Sequence, residues 1–210
     1  MNLYPYQQEA LLLAKKENII VHLPTGTGKT LIAAKVIDHF CDVRPTQATL
    51  CIAPTKVLCS QQAAYFEKHC EGKKRAAEVH GSSTDRWTKA EWTRCLQKNK
   101  ILVGTPAVFL NAFRDGKIKL QDFNLLVFDE CHNAVHVKPK CSPYIHILIH
   151  AATHSPPSLS HTLVSLALIS HTFITLSLSL SRFVLLYARL VTLLCFKSCV
   201  MLSCLSVVIT

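Results

Sequence analysis

Apolar residues in the first 130 positions follow two alternating patterns. Five short apolar runs, "NIIVHL" at 18–23, "ATLCIAPT" at 48–55, "AAEVHG" at 76–81, "KILVGTP" at 100–106 and "FNLLVFDECH" at 123–132, have the length and β-branched content of strands. Between them lie longer segments of helical period: "YQQEALLLAKK" (6–16), "KTLIAAKVIDHFC" (29–41), "KVLCSQQAAYFEKHC" (56–70), "STDRWTKAEWTRCLQ" (83–97) and "AVFLNAFRDG" (107–116). Lysines end the first helix, Ser83 or Thr84 stands where a cap would start the fourth, and Gly116 closes the fifth. Strands that alternate with helices and are apolar throughout belong in a parallel sheet covered on both faces. The pattern therefore predicts a doubly wound α/β fold.

The pattern stops near residue 135. All 13 acidic residues and all six glycines lie within the first 130 positions, while Cys131 to Thr210 contains no Asp, Glu or Gly. A helix-on-sheet domain needs acids on its surface and glycine at its turns. The chain thus divides into a partial domain over 1–136 and a Ser/Leu-rich tail over 137–210. The formal charge of +10 favours a polyanionic partner such as nucleic acid. Ten cysteines form no CxxC pair, and the opening "MNLYPYQQEA" lacks the apolar segment of a secretory signal. These features predict a reduced, intracellular chain, with Cys195, Cys199 and Cys204 as packing residues in an apolar run.

Candidate chemistry sits at strand ends. "VHLPTGTGKT" joins a strand to a helix through a glycine turn, the setting of a phosphate loop. Backbone N–H groups at a helix start point at phosphates, and glycine permits close approach. The strict spacing is broken by Leu23 in place of the first glycine. Thr25, Gly26, Thr27, Gly28, Lys29 and Thr30 are the expected nucleotide contacts, with the Lys29 ammonium on the β- and γ-phosphates and the Thr30 hydroxyl on Mg²⁺. About a hundred residues later "LLVFDECH" places two acids at a strand end. Asp129 is expected to hold Mg²⁺ and Glu130 to orient and deprotonate the attacking water.

"PTGTGKT" and "DECH" together resemble the first RecA-like domain of superfamily 2 DExD/H-box helicases. "YPYQQEA" is similar to the family motif whose glutamine, here Gln7, reads adenine. "APTKVLCSQQ" and "VGTP" resemble the two motifs that touch the nucleic-acid backbone, which implies that role for Pro54, Thr55 and Lys56, and for Gly104 and Thr105. His132 would couple the ATP site to a second domain. "RWTKAEW" and "GTPAVFLNAFRDGKIKLQDFNLLVFDECHNAV" look most like the helicase portion of Dicer-type endoribonucleases, over about residues 2–136. That resemblance implies ATP and Mg²⁺ as cofactors and double-stranded RNA, ahead of DNA, as partner in small-RNA processing. Trp87 and Trp92, five apart on a predicted helix, read as packing residues rather than base-stacking ones.

After "DECHNAV" no second RecA-like domain, arginine finger or ribonuclease III module is recognisable, and "ILIHAATHSP" only faintly mimics the next helicase motif at Ala151 to Thr153. In this family the strand after DECH inserts between the phosphate-loop strand and the DECH strand. Either the tail supplies that strand or the sheet keeps unpaired backbone groups, at about 1–3 kcal/mol each. Arg189 and Lys197 interrupt the longest apolar run, against a membrane span. The tail composition resembles translated intron or frameshifted sequence, and with no arginine finger or second domain recognisable little turnover is expected of the fragment. The other readings are a DNA-junction translocase of the same superfamily, a truncated nucleotide- or RNA-binding decoy, and a membrane-tethered ATPase.

Overall fold

A computed structural model describes residues 3–131, 164–169 and 207–209. Among them run strands β1 (Ile19–His22), β2 (Ala48–Ile52), β3 (Ala76–Val79), β4 (Ile101–Gly104), β5 (Phe123–Phe128), β6 (Val164–Ile169) and β7 (Val207–Ile209). The helices are α1 (Pro5–Ala14), α2 (Lys29–Val43), α3 (Lys56–His69), α4 (Gly81–Thr84), α5 (Lys89–Lys98) and α6 (Pro106–Arg114). The strands form one sheet in the order β3-β4-β2-β5-β6-β1-β7, and every pairing is parallel.

Successive strand residues feed opposite cores. Cys51 and Ala53, Ile101 and Val103, and Leu125 and Val127 pack on one face with Ala10 of α1, Ile32, Val36 and Ile37 of α2, and Phe66 of α3. Leu50 and Ile52, Leu102, and Leu126 and Phe128 pack on the other with Trp92 of α5 and Phe109 and Phe113 of α6. Side chains alternate across a strand, so covering both faces demands an apolar residue at every position. The unbroken runs in the sequence have that cause, and the doubly wound α/β fold is the one observed.

β6 lies between β5 and β1, pairing Leu125 with Val164 on one side and Ile19 with Leu166 on the other. The tail thus supplies the strand whose loss would leave two central ladders open. Ala151 to Thr153 fall outside the described residues.

The fourth predicted helix is corrected to a turn of helix and a separate helix. α4 ends at Thr84, whose hydroxyl donates to the His80 carbonyl (2.7 Å) rather than capping α5. Thr88 starts α5 instead: its Oγ1 accepts from Glu91 N at 3.3 Å, and Glu91 Oε2 accepts from Thr88 N at 2.6 Å. This reciprocal cap satisfies orphan N–H groups at both residues. Trp92 is buried, 1 % exposed, with Trp87 edge-on at 5.2 Å, so the pair packs.

Candidate nucleotide site at the carboxyl edge of the sheet

Because all strands are parallel, the turns after β1, β2, β4 and β5 emerge on one edge, where open α/β sheets bind ligands. Each predicted site segment within the described residues is one of these turns or, for Gln7, a helix resting on one. After β1 comes the loop Leu23–Gly28, with Gly26 and Gly28 both at φ +84°. Gly28 is the N-cap residue of α2 in the left-handed region, no side chain caps it, and the first turn of α2 carries no acid. A helix start left bare of side-chain acceptors and continued at once by Lys29 is a cationic cradle suited to a polyphosphate. Lys29 Nζ donates to the carbonyls of Leu23 (2.8 Å) and Pro24 (3.1 Å), folding over its own loop. Thr27 Oγ1 donates to Pro24 O at 2.6 Å, tightening the same turn, while Thr25 and Gly26 stand exposed at its crest. Thr30 is half-buried in the first turn of α2.

α1 lies over this loop. Gln7, 3 % exposed, donates from Nε2 to Thr27 O (2.9 Å) and accepts at Oε1 from Tyr4 N (3.0 Å). Tyr6 adds a second bond to Thr27 O, from its hydroxyl at 3.0 Å. A Cβ on Gly28 would sit 2.5 Å from Gln7 Nε2, so a glycine there is also what lets α1 close on the loop.

The acids stand just beyond β5. Asp129 is buried at 6 % exposure; its N–H donates to Ile52 O at 2.8 Å, and its Oδ2 accepts from Gln62 Nε2 at 2.8 Å. Burial pushes its carboxyl pKa above the ordinary 3.8, the Gln62 donor opposes this, and neighbouring Glu130 adds to it. Glu130 holds φ +48°, the one positive φ outside glycine among the described residues. That conformation is costly for a side-chain-bearing residue and gathers at functional turns. Burial lowers the Lys29 pKa from 10.5, while the carboxylates of Glu130 and Asp129 raise it. Lys29 and the acid pair therefore share one electrostatic neighbourhood. Among the described residues no three His, Cys, Asp or Glu side chains gather as a self-sufficient metal cage. Mg²⁺ needs none, since it is usually held by one or two carboxylates together with phosphates and water.

The remaining predicted residues flank this centre. Pro54, half-buried, and exposed Thr55 and Lys56 lead from β2 into α3, where Thr55 Oγ1 caps the helix by accepting from Leu58 N at 3.3 Å. Gly104 is buried at the end of β4, and a Cβ there would lie 2.7 Å from Val79 Cγ2 and 2.9 Å from Val79 O. Its absent side chain answers to packing, and half-buried Thr105 is what the turn presents outward. His132 lies outside the described residues. Sequence reasoning missed Tyr6 and Gln62. Gln62 had a signal: on α3 it stands in register with Cys59, Ala63 and Phe66, a polar residue in a buried stripe.

The DEAD/DEAH box helicase family profile matches residues 4–173. The chain is 38% identical over 135 residues to Endoribonuclease Dicer homolog 2b of Oryza sativa subsp. japonica, an alignment covering 61% of this chain and 10% of that protein. It is 37% identical over 133 residues to Endoribonuclease Dicer homolog 2 of Arabidopsis thaliana, covering 61% and 9%. The chain spans about a tenth of the length of these curated relatives. Among solved structures, the Pyrococcus furiosus Hef helicase domain is similar with a TM-score of 0.65 and 27% identity, over 81% of this chain and 33% of that one.

Proposed function

The chain belongs to the DEAD/DEAH box helicase family, with relatives of the Dicer group, and from that membership we propose that residues 1–136 are the ATP-binding half of an RNA-dependent ATPase acting on double-stranded RNA in small-RNA processing. The observation that carries the reading is the meeting of Lys29, on the uncapped start of α2, with Asp129 and Glu130 within one charge neighbourhood. The residues present fit ATP and Mg²⁺. Gly26, Gly28 and the α2 N–H groups would cradle phosphate oxygens, Lys29 would leave the Leu23 and Pro24 carbonyls for them, and Thr30 and Asp129 would hold the metal. Mg²⁺ supplies charge neutralisation between the phosphates when bound. Glu130 orients and deprotonates the attacking water, and its strained backbone fixes where that carboxylate stands. Gln7, tied to Thr27 at 2.9 Å, ties adenine recognition to the shape of the phosphate loop.

RNA as the partner is supported by the endoribonuclease names of the Dicer relatives and by the basic balance of residues 1–136, 18 Lys and Arg against 13 acids, and the double-stranded form is part of the proposal. Pro54, Thr55, Lys56 and Thr105 lie on the same sheet edge as the acid pair and would meet the RNA backbone, reading A-form shape rather than base sequence. The 210 residues alone bind nucleotide with little turnover, because no arginine finger is recognisable among them, a group worth about 10³–10⁵ in rate.

The test is binding of a fluorescent ATP analogue to the purified chain with Mg²⁺, beside Lys29→Met, with double-stranded RNA and DNA competing for a labelled RNA duplex. The expected result is Mg²⁺-dependent binding lost in Lys29→Met, and RNA displaced by RNA better than by DNA. Nucleotide binding unaffected by Lys29→Met refutes the site, and equal displacement by DNA refutes the RNA preference.

A further inference from the structure

Asp129 is anchored through its backbone to β2 and through its carboxylate to α3, the helix that follows β2, with the Glu130 backbone N–H as a further donor to the carboxylate. Its N–H is held by Ile52 O, the last residue of β2, at 2.8 Å. Its Oδ2 is held by Gln62 Nε2 of α3, also at 2.8 Å. What joins β2 to α3 is Ala53, Pro54 and Thr55, and Thr55 and Lys56, the first residue of α3, are exposed. Ala53 N donates to Gly104 O at 3.1 Å, so the turn before Thr105 is tied to the same connection.

Gln62 is unusual in its own right. It is 8 % exposed on the apolar stripe of α3, where an aliphatic residue would pack without desolvation cost. Its Oε1 is buried and finds no hydrogen-bond partner among the described residues. A buried amide satisfied on one side only calls for a reason, and here its satisfied side is the carboxylate. Gln62 stands six residues beyond Lys56, about 9 Å along a rigid helix at about 1.5 Å per residue. A displacement of the exposed end of α3 therefore carries the amide with it, while β2 keeps the Asp129 backbone in place.

We propose that Gln62 is a positioning residue that transmits occupancy of the Pro54–Lys56 turn by a nucleic-acid backbone to the side chain of Asp129. The inference rests on the proposed nucleotide and RNA sites. With the turn gripped, α3 is fixed and Gln62 holds Oδ2 in one orientation; with the turn free, the carboxylate is set less firmly. Among the described residues Oε1 has no competing bond, so the bond to Asp129 is the one that orients the amide there.

The test measures the Mg²⁺ concentration giving half-maximal binding of a fluorescent ATP analogue to the full chain, with and without a blunt RNA duplex. In the wild type the duplex lowers that midpoint. Gln62→Met keeps the volume and removes the donor; it raises the midpoint about tenfold, the effect of about 1.4 kcal/mol, and abolishes the RNA-dependent shift. Gln62→His restores a donor at similar reach and recovers the shift. Should Gln62→Met melt early, Gln62→Asn, one methylene short of Oδ2, carries the same expectation. A folded Gln62→Met or Gln62→Asn with wild-type midpoint and shift overturns the inference and leaves the nucleotide site standing. A wild-type chain that binds no Mg²⁺–nucleotide overturns both.

Discussion

Gly104→Ala separates two accounts of one glycine. The added Cβ would meet Val79 Cγ2 at 2.7 Å, Val79 O at 2.9 Å and Phe109 Cζ at 3.0 Å, where ordinary contact begins at 3.4 Å. The gap to Val79 Cγ2 must open by about 0.7 Å, and the Val79 carbonyl cannot rotate away because Val79 pairs with Gly104 across β3 and β4. Phe109 is fully buried, so the third neighbour has no space to move into either. Overpacking of this kind costs about 1–3 kcal/mol, and two rigid neighbours place it near the upper end. Losing a flexible glycine from the unfolded chain returns about 0.4–1 kcal/mol. The net loss is about 1–2.5 kcal/mol, which lowers Tm by about 3–8 °C for a chain of this size. Thermal melts monitored by circular dichroism would read it, with Gly81→Ala as control, since a Cβ there finds its nearest neighbours at 3.7 and 3.8 Å. A Gly104→Ala chain that melts with the wild type, yet binds RNA less well, would refute the packing argument and return Gly104 to direct nucleic-acid contact.

The same geometry predicts three further outcomes. Asn124→Ala removes the buried amide that accepts from Thr49 Oγ1 (2.9 Å) and donates to Phe40 O (3.2 Å) at the end of α2; leaving these partners buried costs about 1–3 kcal/mol, measured by urea unfolding. Asp129→Asn raises Tm at neutral pH without Mg²⁺ while abolishing Mg²⁺-dependent nucleotide binding. Burial raises the folded pKa of Asp129 above 3.8, so its ionisation destabilises the fold; the advantage of the asparagine chain should shrink as pH falls through the raised value toward 3.8, and a constant advantage would count against it. Gly28→Ala pairs a φ of +84° with a Cβ 2.5 Å from Gln7 Nε2; it should displace Gln7 and weaken adenine nucleotide binding more than it weakens inorganic triphosphate, a contrast that isothermal titration would show.

Five of the seven described strands, β1 to β5, were legible in the sequence by itself, because a strand covered on both faces leaves a short apolar run bounded by turn residues; β6 and β7 were not. The glycine turn, the lysine and the paired carboxylates at strand ends were also legible as candidates for one site, and the fold sets them on one edge of the sheet. Local chemistry was legible less well. Thr88 and Glu91 form a reciprocal cap inside what reads as one continuous helix, and only the backbone geometry chooses it over Ser83 or Thr84. The strand order is a tertiary outcome. β6 enters between β5 and β1 from a segment with no acids or glycines, because two open ladders demand a partner and any extended apolar segment can pair by its backbone. Tertiary structure alone also joined Gln62 to Asp129, 67 positions apart. A hydrogen bond between residues so distant is set by where two elements cross, and the pattern along either one carries no record of the crossing.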